Sequence, residues 1–260
     1  MLEIKNVTIS YKDRPTVKNF SMTLKKGEIA SIVGESGSGK TTVIRAVLGL
    51  LPGGGRVTEG DILFEGKSLL KNTAEEWRNL RGTDISMIFQ DSGAMLNPIR
   101  KIGSVFVEYI RTHEKVSRKA AWEKGREMLE QMRLPSSDNI MQSYPFQLSG
   151  GMRQRVGIAM AMTFQTKLLL ADEPTSALDV TTQAQIVRQM MELRDEWGTS
   201  IIMVTHNLGV AAYMSDQILV MKEGQIADTG SRDQILKGGR SIYTQELLEA
   251  VPSLGGDRYV

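Results

Sequence analysis

The segment Gly34-Glu35-Ser36-Gly37-Ser38-Gly39-Lys40-Thr41 carries the full spacing of a phosphate-binding loop. Its glycines permit a tight turn whose backbone N–H groups point inward. A helix starting at its end adds a positive pole, and the two together cradle the phosphates of a nucleotide. Lys40 is placed to reach the β- and γ-phosphates and Thr41 to offer its hydroxyl to Mg²⁺. Further along, the apolar run Leu168-Leu169-Leu170-Ala171 ends in Asp172-Glu173-Pro174. Adjacent carboxylates are poor core residues, because an unpaired buried charge costs several kcal/mol. With a phosphate loop in the same chain they have chemistry to do: Asp172 can hold Mg²⁺, and Glu173 can orient and deprotonate an attacking water. Read alone, the pair also fits a solvated strand end.

Those residues need elements to hold them. Ile29–Val33 is a nearly continuous apolar run, as expected of a strand buried on both faces, and it leads into the glycine-rich turn. Thr41–Leu50 has helical spacing and is closed by Leu51-Pro52-Gly53-Gly54-Gly55. Leu2–Tyr11 and Lys18–Leu24 alternate like strands, and Gly60–Gly66 and Asp84–Phe89 are further short strands. From about Asn97 the texture changes. Ile102, Val105, Phe106, Tyr109 and Ile110 recur at helical spacing, Ser117–Met132 is a second amphipathic helix, and Leu134–Ser143 is a polar loop. This pattern predicts a helical insert, residues 97–144, within an α/β core built from 1–96 and 145–260. After Ser149 come a helix to about Phe164, strand Leu168–Ala171, helix Thr181–Trp197 and strand Ser200–Val204. Such alternation predicts a parallel sheet with its ligand site at the carboxyl ends of the strands. The tail (Gln217–Met221, Gln225–Thr229 and a helix near Tyr243–Val251) is expected to add peripheral cover.

Composition narrows the function classes. The 260 residues suit one core with an insertion, and 41% hydrophobic with 24% charged residues makes disorder and coiled coil poor readings. Lysine and arginine number 32 against 30 aspartates and glutamates, and a net +2 gives no basis for a nucleic-acid groove or a basic membrane patch. No apolar run approaches the roughly 18–20 residues of a membrane helix. The start, MLEIKNVTIS, lacks the charged head and apolar block of a secretion signal. Without cysteine there is no disulfide frame, thiolate zinc site or cysteine nucleophile. A soluble cytoplasmic protein is the expectation. No Asn-Lys-x-Asp guanine-reading motif occurs, which disfavours a GTPase.

Leu148-Ser149-Gly150-Gly151-Met152 resembles the signature of ATP-binding-cassette (ABC) ATPases. The phosphate loop, Asp172-Glu173, Ser176-Ala177-Leu178-Asp179 and His206 follow in that family's order, so the resemblance spans Leu2 to about Gly230. It implies a P-loop NTPase core of parallel sheet and helices, with an N-terminal antiparallel β subdomain and a helical subdomain. It also implies Mg²⁺-dependent ATP hydrolysis. ATP contacts would come from Gly34, Glu35, Ser36, Gly37, Ser38, Gly39, Lys40, Thr41 and Thr42. Tyr11, otherwise only a strand aromatic, would stack on the adenine. The catalytic residues would be Glu173, His206 at the γ-phosphate, and Gln90, which ends Ile85–Phe89 and would share Mg²⁺ with Thr41 and Asp172. The other histidine, His113, is expected on the solvated surface. Ser149-Gly150-Gly151 opens a helix, so its N–H groups and the Ser149 hydroxyl make a second anion site. In the family that site completes the nucleotide pocket of a second subunit, with Asp179 at the seam, and the helical insert grips a membrane partner.

The stretch from Tyr144 to Met162 is similar to the peptide/nickel importer branch, where Met after Gly-Gly together with Ala-Met-Ala marks one of two unlike ATPases. Leu96-Asn97-Pro98 suits the same branch. The resemblance implies a non-identical second ATPase subunit, two transmembrane permease subunits and an extracellular substrate-binding protein. It implies a place on the cytoplasmic face of the membrane and no nucleic acid. Ser92 departs from the branch's usual proline. The stop at Val260 without cysteines favours the shorter members serving nickel or metal-chelate uptake, and peptides and nickel both stay open. Two rivals belong to other classes. A soluble ABC ATPase of translation or DNA repair would bring a second cassette or a long coiled coil, and neither is visible. A non-catalytic binding module would not need Glu173 and His206.

Overall fold

The computed structural model describes residues 1–91, 95–176 and 178–250. Ser92, Ala177 and the Val251 end of the expected tail helix lie outside the described residues. The chain opens with β1 (Leu2–Tyr11), β2 (Arg14–Leu24), β3 (Ile29–Val33), α1 (Lys40–Val47), β4 (Arg56–Phe64), β5 (Lys67–Ser68) and α2 (Ala74–Leu80). It continues through β6 (Ile85–Ile88), α3 (Ile102–His113), α4 (Arg118–Gln131), α5 (Ser137–Gln142), α6 (Gly150–Met162), β7 (Leu168–Asp172) and α7 (Val180–Trp197). The last elements are β8 (Ser200–Thr205), α8 (Leu208–Met214), β9 (Gln217–Lys222), β10 (Gln225–Ser231), α9 (Arg232–Leu236) and α10 (Ile242–Glu249). Contacts gather these into two compact units: Met1–Glu76 with the chain from Ser200 onward, and Trp77–Thr199.

In the first unit an antiparallel sheet has the order β2-β1-β4-β5, the predicted N-terminal β subdomain. Leu2, Ile4, Val7 and Ile9 of β1 and Val17, Phe20, Met22 and Leu24 of β2 are buried, each contributing about 1.5–3 kcal/mol. β2 begins at Arg14, four residues before the alternation suggested, because Lys12 and Asp13 both adopt positive φ and close a two-residue hairpin with Tyr11 level with Arg14. In the second sheet β3 runs parallel to both β8 and β9, with Val33 level with Thr205 and Val220. Every residue of β3 and β8 is buried, which is why these strands read as nearly continuous apolar runs. β10 returns antiparallel along β9. Helix α1 is shorter than predicted: Gly49, at φ 64°, ends it as a left-handed terminator.

In the second unit β6 and β7 are parallel, Ile85–Ile88 level with Leu168–Ala171. Helices α3, α4 and α5 pack on one another, and α6 packs on α4 and β6. The predicted polar loop Leu134–Ser143 contains α5, which buries Ile140 and Met141; packing supplies what its polar composition hides. His113 is not a solvated surface residue. Its ring sits 5.3 Å from both Tyr109 and Phe164, edge-on to each. Burial pushes its pKa below the ordinary histidine value, with Glu114 pulling the other way.

Candidate functional site

The predicted site residues fall into two groups, one in each unit. In the first, β3 delivers the chain into the glycine loop and α1 leaves it with Gly39 as N-cap. Gly34 is required by space as well as conformation: at φ 148° a Cβ there would lie 2.1 Å from the Met221 carbonyl oxygen. The Lys40 ammonium is buried, donating to the carbonyls of Gly34 and Glu35 at 2.7 Å each and to Ser38 Oγ at 3.4 Å. Three oxygens therefore hold the three-proton head of this lysine inside its own loop. Thr41 and Thr42 follow in the first turn of α1. His206 comes directly after β8, beside the end of β3, and Asn207 then caps α8 by accepting from Val210 N at 3.2 Å. Tyr11 ends β1 with its ring against Gly55, where a Cβ would come within 2.5 Å of it.

In the second unit β7 ends in buried Asp172. Glu173 follows at φ 45°, a left-handed backbone that costs a non-glycine residue on the order of 1–3 kcal/mol and concentrates at functional sites. Gln90 Nε2 donates to Glu173 Oε2 at 3.3 Å, so the turns after neighbouring strands β6 and β7 bring these two predicted residues together. Two glutamines that sequence reading missed hold the segment beyond: Gln154 of α6 donates to the Pro174 carbonyl at 2.7 Å, and Gln183 of α7 donates to the Thr175 carbonyl at 2.9 Å. The only hint in the sequence was a polar residue on the buried side of each helix.

Ser149 caps α6, its hydroxyl accepting from Met152 N at 3.2 Å, and Gly150 has open space where a Cβ would be. Asp179 caps α7, accepting from Thr182 N at 3.0 Å and Thr182 Oγ1 at 2.7 Å, and these bonds hold its carboxyl below the usual aspartate range. The tail proved to be more than peripheral cover. Gly224 N donates to the Ser38 carbonyl at 3.0 Å, and Glu35 N donates to the Tyr243 hydroxyl at 3.1 Å.

A buried strand, a glycine turn and a helix carrying Lys40 and Thr41 have the arrangement of a phosphate-loop nucleotide-binding protein, and a second strand ends in Asp172, followed by Glu173. The chain belongs to the ABC transporter family, whose sequence profile matches residues 17–176, and it is an ABC ATPase. Oligopeptide transport ATP-binding protein OppD of Bacillus subtilis (strain 168) is 45% identical, over 98% of this chain and 72% of its own length. Glutathione import ATP-binding protein GsiA of Escherichia coli (strain K12) is 42% identical over 98% of this chain, which spans only 42% of that relative. Among solved structures, the dimeric post-hydrolysis state of the ATP-binding cassette MJ0796 bound to ADP and Pi gives a TM-score of 0.79 at 29% identity. It covers 89% of this chain and 99% of that one.

Proposed function

We propose that this chain hydrolyses MgATP to power a membrane importer of peptides, working at the cytoplasmic face with two permease subunits, a substrate-binding protein and a second, non-identical ATPase. The names of OppD and GsiA favour peptides over nickel as the cargo class. The observation that carries the catalytic part is Glu173, held at a strained φ and bonded by Gln90, in a chain with a complete phosphate loop.

Lys40 moves from the Gly34 and Glu35 carbonyls to the phosphates when ATP arrives, and Tyr11 stacks on the adenine. Glu173 takes the proton of the attacking water, Gln90 orients that carboxylate and water, and His206 donates to the γ-phosphate. The donor types suit Mg²⁺: Thr41, Asp172 and Gln90 each carry a hard oxygen. Mg²⁺, when bound, supplies charge neutralisation across the phosphates. Ser149, Gly150 and Gly151 of one ATPase close on the nucleotide of its partner, with Asp179 at the seam. The insert, residues 97–144, passes the motion to the permeases. Met95 and Ile99, large apolar side chains exposed just beyond Gln90, suit such a contact. Among the described residues no helix is long and apolar enough to cross a membrane.

The test is uptake of a radiolabelled peptide by cells deleted for this gene. Wild-type protein should restore uptake and Glu173→Gln should not; uptake that ignores the deletion, or restoration by Glu173→Gln, would refute the proposal.

A further inference from the structure

We infer that Tyr243 of α10 is a positioning residue for the phosphate loop, fixing the Gly34–Glu35 peptide from outside the nucleotide site. This rests on the loop binding nucleotide, as proposed above.

That peptide unit is gripped at both ends. Its N–H donates to the Tyr243 hydroxyl at 3.1 Å, and its carbonyl, on Gly34, accepts from Lys40 Nζ at 2.7 Å. Bonds on the two sides of one amide polarise each other, so the phenol strengthens the acceptor that holds the loop's lysine. A rotation of this peptide would break both at once. The loop is braced from the same side elsewhere: Gly224 N donates to the Ser38 carbonyl at 3.0 Å, and the Met221 carbonyl lies where any side chain on Gly34 would have to go.

Tyr243 is itself held in place. Lys222 Nζ sits 4.6 Å from its ring centroid. Buried Asp228 of β10 accepts from the backbone N–H groups of Thr229, Arg240 and Ser241 and from the Thr244 hydroxyl. Those bonds fix the turn that starts α10, and Ser241 caps the helix by accepting from Thr244 N at 3.0 Å. The groups facing the phenol are Glu35, Glu246 and Lys222. Burial keeps its pKa above the ordinary tyrosine value, so it stays a neutral hydroxyl. A small cavity of about 110 Å³ is lined by Glu35–Ser38 and by Lys222, Glu223 and Tyr243, and the hydroxyl bond joins the two sets at Glu35.

The experiment is Tyr243→Phe in the full chain, which keeps the ring and removes only the hydroxyl, with Tyr213→Phe, at an exposed position of α8, as control. Loss of one neutral hydrogen bond should raise the Kd for ATP and ADP about two- to tenfold. KM for ATP should rise by the same factor with kcat unchanged, and the control should match wild type. Backbone hydrogen exchange across residues 33–38, followed without nucleotide, should be faster in Tyr243→Phe. Unchanged affinity and exchange, or a fall in thermal stability alone, would overturn the inference. Wild-type protein that fails to bind ATP would instead overturn the phosphate-loop reading itself.

Discussion

At the scale of single residues, the loop was legible because phosphate binding admits few solutions. Glycines must permit the turn, and a lysine and a hydroxyl must end it, so Gly34 to Thr41 announces itself without tertiary context. Removing the ammonium in Lys40→Ala takes away a charge-assisted contact of about 1.5–3 kcal/mol, or roughly ten- to hundredfold in ATP affinity by calorimetry. An unchanged affinity would remove Lys40 from the site. Glu173→Gln should bind ATP normally and lose about 10²–10⁴ in kcat, as expected for loss of a general base; retained turnover would move that role elsewhere. What sequence could not give was the backbone at Glu173 or the roles of Gln154, Gln183 and Tyr243. Each depends on a carbonyl or N–H brought near by folding, and a carbonyl leaves no mark in a sequence.

Among the elements, buried strands were the clearest, since β3, β7 and β8 are buried throughout and mostly apolar. Shorter elements were hidden for separate reasons: α5 is polar outside Ile140 and Met141, and Gly60, at φ 80° within β4, looks like a strand start when it marks a bulge. Helices α3, α4 and α5 meet closely enough to be tested. A Cβ on Gly103 would lie 2.3 Å from the Trp122 ring and 2.7 Å from the Met141 carbonyl. Gly103→Ala should therefore destabilise the protein by about 1–3 kcal/mol in urea unfolding, and an unchanged midpoint would contradict this packing. His113 makes a pH prediction. Its folded pKa is depressed, so its contribution is fully present above about pH 6.5, the unfolded value, and is lost as pH falls through the lower folded value. The stability difference between wild type and His113→Gln should shrink over that interval; a difference that grows on acidification would reverse the assignment.

For the molecule as a whole, family membership and the N-terminal antiparallel sheet were readable from ordered motifs and alternation, whereas His113 and the tail were misjudged because Phe164, for the one, and the phosphate loop, for the other, are distant in sequence. Each chain contributes one phosphate loop and one signature helix, and on the proposed account these serve different nucleotides. ATP is then the glue of a pair, and hydrolysis releases it. Sedimentation of Glu173→Gln with MgATP, alone and mixed with the second ATPase subunit, tests this most directly. The account predicts a dimer that carries one nucleotide per chain and fails to form when Lys40 is also replaced by alanine. ATP-loaded chains that stay single at every protein concentration, in both mixtures, would contradict it.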